Sequence, residues 1–333
     1  MNKIVSIIVP CFNGERFVDR CLHSIEIQNY PYIEIVVVND GSTDQSEDKI
    51  LEWKKVLKNK GIQLIYIKQK NQGPGSAINT GLKYVSGSYL SLLDIDDEYL
   101  QNALAERVEF LERHEDIDVV RSNGWYVRKS AKSLFIYDEC EKKIDNIFLA
   151  LLEGRTNNWA GSYMVRVSSL LQFYPDREIY QSRYGQNLQF LLPLVYQKKC
   201  GFIDKPHMNY NQQENSLTKT TEAINRERLS LDNAGGYRDI REYMVRLIVC
   251  DEKEQEYFLR LVNNAYWKSI MQIAGAFDDG PLMKESFSKL AKEKAIHINE
   301  CIIYCKLIHP EFVPMLRLIR KMKSIFQCLR KRL

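Results

Sequence analysis

The chain lacks most of what marks a membrane-embedded, zinc-scaffolded or nucleic-acid-binding protein. No stretch approaches the roughly 18 uninterrupted apolar residues of a membrane span. Its eight cysteines, Cys11, Cys21, Cys140, Cys200, Cys250, Cys301, Cys305 and Cys328, are scattered and form no Cys-x-x-Cys pair. A net charge of +4 over 333 residues is too small for a whole-protein nucleic-acid footprint. No Gly-x-Gly-x-x-Gly follows the first apolar run, where Pro10-Cys11-Phe12-Asn13-Gly14 stands instead, and no Gly-x-x-x-x-Gly-Lys-Ser/Thr occurs anywhere. Nicotinamide-type and P-loop chemistry are therefore excluded. Met1-Asn2-Lys3-Ile4-Val5-Ser6 runs straight into a strand-like segment without a leader-type apolar stretch, so the expectation is a reduced, cytoplasmic protein.

What is present is a chain with 45% hydrophobic residues, enough to bury a large core plus an appendage. Short β-branched runs, 4–9, 33–38, 62–67, 89–93 and 117–120, alternate with helical segments 16–28, 45–58, 77–85 and 99–113. Turn clusters open the helices: Asn13-Gly14, Gly41-Ser42-Thr43-Asp44 and Gly73-Pro74-Gly75-Ser76. Such alternation predicts parallel strands with helical crossovers, an α/β sheet covered on both faces. Ligands gather at the carboxyl ends of such strands, and each polar cluster of this region lies at one.

The most unusual cluster is Leu90-Ser91-Leu92-Leu93-Asp94-Ile95-Asp96-Asp97-Glu98, a strand-length apolar run ending in four carboxylates within five residues. Like charges this close repel unless something positive sits among them. A hard divalent cation that keeps open positions for phosphate oxygens would meet that need. The plainer alternative is a helix start, with Asp96 or Asp97 as N-cap of a helix from Tyr99. Asn39-Asp40-Gly41-Ser42 could be a tight turn, or could hold a carboxylate at the sheet edge for a base or ribose. Gly73-Pro74-Gly75 before a helix suits a phosphate cradle, its glycines letting backbone N–H groups approach oxygens.

Taken in order, Val5 to Asn13, Val36 to Asp44, Asn71 to Gly81 and Leu93-Asp94-Ile95-Asp96-Asp97 resemble the ordered motifs of family-two glycosyltransferases of bacterial surface-polysaccharide type. The resemblance runs from about Lys3 to Ser216 and implies a GT-A fold: a Rossmann-like, mostly parallel sheet in a catalytic domain, 1–220. A helical C-terminal region would follow at 221–333. It implies transfer, with inversion, of a hexosyl or N-acetylhexosaminyl group from a nucleotide-diphosphate sugar, commonly UDP-linked, to a saccharide or lipid-linked hydroxyl. By the same resemblance Pro10, Phe12, Asn13 and Glu15 border the nucleotide, and Asp40 with Gly41 and Ser42 contacts uracil or ribose. Asn71 and Gly73 lie along the donor. Asp94, Ile95, Asp96 and Asp97 form the acidic motif for manganese or magnesium, with Asp96 the direct contact.

The family's general base comes from a Glu-Asp-like motif some 90 residues later. Here that stretch reads Tyr184-Gly185-Gln186-Asn187-Leu188, and an amide cannot act as a base at neutral pH. Three readings stay open. Gln186 and Asn187 position the acceptor while Asp176, Glu178 or Glu214 takes the proton; or the equivalent acid lies a few residues away; or the chain binds a nucleotide sugar without transferring it. Residues 122–137 read as a polar-aromatic hairpin and 161–167 as a further strand, with Trp159 a sugar platform or a structural core residue. The polar loop 212–216, including Gln213 and Ser216, belongs near the diphosphate by resemblance. Helical periodicity follows in 226–250, 254–275 and 283–296. Finally Met315, Ile319, Met322, Phe326, Leu329 and Leu333 share one helical face among seven cations, with no acid after Glu311. That pattern suits an anionic membrane surface contacted through 312–333, or a helix packed on the body with a solvated basic face; a homodimer is a separate expectation.

Overall fold

The computed structural model describes residues 3–129, 131–212 and 223–330, which fall into two units, Met1–Gln213 and Glu214–Leu333. In the first, β1 (Val5–Cys11), α1 (Val18–Glu26), β2 (Ile33–Asp40), α2 (Ser46–Asn59), β3 (Gln63–Gln69), α3 (Pro74–Leu82) and β4 (Tyr89–Leu92) alternate as the periodicity predicts. They give a parallel half-sheet in the order β3-β2-β1-β4, with Val5 opposite both Ile33 and Tyr89. Helices cover both faces, so all eight residues of β2 are buried and its run of Ile and Val need not alternate with polar residues.

The other half-sheet is mixed. β5 (Glu98–Tyr99), α4 (Ala103–Arg113), β6 (Val119–Arg128), β7 (Ala131–Leu134), α5 (Glu139–Lys142), α6 (Phe148–Leu152), β8 (Tyr163–Arg166), α7 (Val167–Phe173), α8 (Gln186–Val195) and β9 (Gly201–Asn211) complete the unit. The run at 117–120 contributes the start of β6, which does not lie beside β4. Instead β8 inserts between them, antiparallel to both, and β9 runs parallel along the far side of β6. Periodicity identifies a strand but not its neighbour, so this insertion was invisible in the sequence. The hairpin expected at 122–137 is present as β6 and β7.

One expectation is corrected. The helix anticipated from Tyr99 begins at Ala103, after Asn102 in the left-handed region (φ 67°). Glu98 and Tyr99 instead pair with Asn209 and Met208 of β9. Asp96 and Asp97 thus cap no helix, and the helix-start explanation of the acidic run falls away.

The second unit is helical: α9 (Ala223–Ile248), α10 (Glu252–Phe277), α11 (Gly280–Lys292), α12 (Ile298–Ile308), a single 3-10 turn at Pro310–Phe312, and α13 (Val313–Arg330). Asp251 and Asp279 cap α10 and α11, accepting from the N–H groups of Glu254 and Leu282. Met271, Ala274, Met283 and Leu290 form its buried centre. No helix among the described residues is long and apolar enough to cross a membrane.

Candidate functional site

The loops at the carboxyl ends of the parallel strands are tied to one another by side chains that accept backbone N–H groups. After β1, Asn13 takes a left-handed conformation (φ 49°), and its Oδ1 accepts from the Thr43 N–H at 2.9 Å. Its own N–H donates to Ser42 Oγ at 3.0 Å. Glu15 accepts from the Gln45 N–H, and the Glu15 N–H donates to Asp44, each at 3.0 Å. Asn13, Glu15 and Ser42 therefore join the β1–α1 loop to the start of α2. Phe12 is left exposed at the strand end, beside half-buried Pro10.

Asp40 does the same for the next loop. Its Oδ1 accepts from Gln69 Nε2 (2.7 Å) and the Gln72 N–H (3.0 Å), and its Oδ2 from the Gly73 N–H (2.8 Å). The carboxylate expected to meet a base or ribose is buried and holds the glycine loop in shape. Gly41 (φ 77°) lies so close to that loop that a Cβ would stand 2.7 Å from the Asn71 nitrogen. Gly73 (φ 87°) precedes Pro74 at the head of α3, and a Cβ there would meet nothing within 4 Å. The conformation, rather than crowding, is what requires glycine at that position.

The acidic turn closes on the first loop from the other side. Ile95 is buried in the core against Gly14, so its side chain faces away from any ligand. Arg20 of α1 donates to the Asp96 carbonyl and stacks over Phe17 at 5.6 Å. Arg20, a residue that sequence reasoning passed over, brings one positive charge near the run, bonded to a backbone carbonyl rather than to a carboxylate. Asn211, at the end of β9, donates its N–H to Asp97 Oδ1 (2.8 Å) and its amide to the Asp96 carbonyl (3.1 Å). Asp97 is only 1% exposed, which makes it an internal brace for β9 before it is anything else.

Electrostatics separate the three aspartates. Burial, then the charges of Asp96 and Asp94, push the Asp97 carboxyl well above its ordinary range. Asp96 is raised by burial, against its own backbone N–H and Arg20. Asp94 keeps surface open to solvent although protein surrounds it on most sides; that enclosure and the Asp96 charge push its carboxyl up to about 7. The turn therefore holds carboxylates whose ionisation is opposed and that would be relieved by added positive charge. Asp97 Oδ2 is in addition buried with no hydrogen-bond partner. Hard oxygen donors, frustrated ionisation and an orphaned oxygen fit a divalent ion. Among the described residues no three His, Cys, Asp or Glu side chains converge as a preformed cage. Magnesium-type sites commonly use one or two carboxylates, with substrate phosphates supplying the rest.

The α8 end completes the ring. A Cβ on Gly75 would lie 2.8 Å from the Ser182 carbonyl, and that carbonyl accepts from Gln186 Nε2 at 2.6 Å. Asn187 Oδ1 accepts from the Tyr163 hydroxyl at 2.7 Å, and Asp94 is close enough to raise the Tyr163 pKa further beyond the effect of burial. Contacts thus pass from Gly14–Ile95 to Asn13–Ser42, Asp40–Gly73, Gly75–Ser182–Gln186 and Asn187–Tyr163, with Asp94 near enough to act on the Tyr163 hydroxyl. The loops after β1, β2, β3 and β4 and the start of α8 are thereby brought together.

The spare carboxylates do not. Arg177 donates to the Leu82 and Val85 carbonyls, and Glu178 pairs with Lys83 at 3.0 Å. Asp176 and Glu178 consequently sit at the far end of α3, about 13 Å from its glycine turn. Glu214, Gln213 and Ser216 lie outside the described residues. Trp159 is half-buried in an aromatic cluster, stacked on Tyr210 at 4.8 Å with its Nε1–H donating to the Tyr126 hydroxyl at 2.9 Å.

Residues 6–179 match the family model described as glycosyl transferase family 2, just over half of the chain. The chain belongs to that family. Among similar curated proteins, an uncharacterized glycosyltransferase of Rickettsia prowazekii is 37% identical over 124 residues, covering 37% of each chain. Glycosyltransferase GlyA of Streptococcus pneumoniae is 33% identical over 186 residues, covering 51% of this chain and 25% of its own. The matches thus span less than half the length of these relatives. Among solved structures, TarS 1–349 of S. aureus superposes with a TM-score of 0.61 at 17% identity, covering 96% of this chain and 87% of the other. TarS in complex with UDP-GlcNAc gives 0.60 at 17% identity and the same coverage. Mannosyltransferase PcManGT of Pyrobaculum calidifontis, in complex with GDP-Man and Mn2+, gives 0.52 at 16%, covering 95% and 85%. This family-2 chain therefore has the GT-A fold, with C-terminal helices after the curled mixed sheet.

Proposed function

We propose that this family-2 chain transfers a sugar from a nucleotide-diphosphate sugar to a saccharide or lipid-linked hydroxyl, with inversion, assisted by manganese or magnesium. The observation that carries this reading is the set of mutually tied loops, the one bearing the exposed Asp94 carboxylate among them, at the carboxyl edge where parallel sheets take ligands. A UDP donor is supported by the neighbour TarS, crystallised with UDP-GlcNAc and with UDP. A divalent ion is supported by the Mn2+ in the mannosyltransferase complex and by the chemistry of the acidic turn. Asp94, Asp96 and the unpartnered Oδ2 of Asp97 would hold the ion, while Asp97 Oδ1 braces the turn. When bound, it would neutralise charge on the diphosphate as the nucleotide leaves.

This chain's own residues do the rest of the positioning. Phe12 and Pro10 border the base, and Asn71 and Gly73, held by Asp40, lie along the donor. Gln186 and Asn187 meet the acceptor hydroxyl at the uncapped start of α8. Asn187 can orient that hydroxyl but cannot take its proton. With Asp176 and Glu178 at the wrong end of α3, Glu214 is the remaining base of those weighed. The setting is the cytoplasmic side of surface-polysaccharide assembly.

One observation favours a second reading, a nucleotide-sugar-binding subunit without transfer: an amide stands where the family places an acid. Nucleotide release from a panel of UDP-, GDP- and dTDP-sugars with manganese separates the two. A transferase turns over donor, whereas a binder shifts its melting temperature and releases nothing. Asn187→Asp sharpens the result, because Tyr163 can donate to a carboxylate as readily as to an amide. A binder should gain turnover from that substitution; a transferase using another base should change by less than about tenfold.

A further inference from the structure

The second unit carries a helix with two unlike faces. At about 100° per residue, Val313, Leu316 and Arg320 of α13 lie on one side. Val313 is buried, Leu316 is half-buried, and Arg320 donates to Asn299 at the start of α12, so this side packs inward. Met315, Leu318 and Ile319 lie on the opposite side and are 53%, 60% and 37% exposed. Phe312, 47% exposed, extends that stripe by a turn. Lys321 is exposed next to Leu318 at the edge of the stripe, and Arg317 is exposed further round the helix, toward the Val313 side. Met322, Phe326, Leu329 and Leu333, which continue the pattern in the sequence, fall beyond the described side chains.

We propose that this outer face docks on an anionic lipid surface. Burying exposed Leu, Ile, Met and Phe is favourable against any apolar partner, so the apolar stripe alone does not choose one. Charge does. Residues 312–333 contain seven cations and no acid. A second copy of so basic a segment would bring like charge near like, whereas anionic headgroups can take up the stripe and attract the cations of the same helix. The face uses no residue of the donor loops, so the inference stands whether or not those loops perform transfer.

Flotation of the full-length chain with vesicles tests it. Phosphatidylglycerol-rich vesicles should carry the protein at physiological ionic strength, and phosphatidylcholine vesicles should not. R317E/K321E should lower partitioning at least tenfold, since each Lys or Arg near an anionic surface is worth roughly a fivefold factor. Leu318→Glu should abolish it, with the circular dichroism of the fold unchanged because the side chain is exposed. Release of nucleotide from a soluble donor, measured on the same variants, should not move, which keeps this test apart from that of transfer. Equal flotation with both lipids, no flotation, or a concentration-dependent dimer that Leu318→Glu dissolves would each overturn the proposal.

Discussion

The two halves of the sheet are built on different principles. In the parallel half, β3-β2-β1-β4, each loop end is fixed by a short polar side chain accepting backbone N–H groups: Asn13, Asp40, Asp44 and Ser46 all work this way. In the mixed half, β8-β6-β9-β5, the edge is built from aromatic rings and amides: Trp159 on Tyr210, Tyr163 on Asn187, Asn211 on Asp97. The first construction draws its residues from short local turn clusters and uses them to join loops 30 to 32 residues apart. The second depends on pairings across 24 to 114 residues and can vary without disturbing the first. On the proposed function the donor diphosphate, common to many reactions, would meet the first construction, and the particular acceptor would meet the second.

Several substitutions should break or sharpen that contrast. The largest effect belongs to the acidic turn. Asp96→Asn should lower nucleotide release by about a thousandfold or more, the scale of losing a principal electrostatic contact, while the melting temperature holds or rises as a half-buried charge is removed. Retained turnover would remove Asp96 from the metal role. Asp40→Ala should come next, because three donors lose one charged acceptor. About 2–4 kcal/mol of stability should go, read by urea unfolding, and donor affinity should fall through the displaced Gln69–Gly73 loop.

In the mixed half, His207 offers a pH test. It is 2% exposed, and burial, then Arg107, hold its pKa down at about 4, so it stays neutral in the fold. The unfolded chain takes up that proton below about pH 6.5. Stability is therefore complete above pH 6.5 and declines as pH falls toward 4, by up to about 1.4 kcal/mol per unit. Denaturation of His207→Asn across pH 7 to 4 should show a flatter slope. Some slope should remain, because Glu106, whose pKa is lowered, contributes with the same sign. An unchanged slope would contradict the buried neutral histidine. Nucleotide release above pH 7 should barely respond, since the residue lies on β9 behind the donor loops.

The contrast also explains what the sequence could reveal. Strand and helix periods in residues 5–97 were legible because both faces of the parallel sheet are buried, and the turn residues announce their conformations locally. The acidic run was legible as an anomaly, though not its partners: Arg20 lies 76 residues away in sequence and Asn211 lies 115. Only the electrostatic need for a cation hinted at the former. The insertion of β8 and the placement of Asp176 and Glu178 at the far end of α3 were illegible for a related reason. Both follow from which elements meet in space, and four residues of β8 carry no signal of their neighbours. Asp40 was found for the right position and a different reason, since a buried carboxylate serving three donors reads in sequence just like one facing solvent.

The direct measurement is calorimetric titration of UDP into the full chain with manganese and again with chelator. Binding should require the metal, and Asp94→Asn and Asp96→Asn should each remove the metal-dependent part of the affinity while leaving the fold's unfolding transition in place. Equal affinity with and without manganese, untouched by either substitution, would contradict the assignment of the acidic turn to the diphosphate.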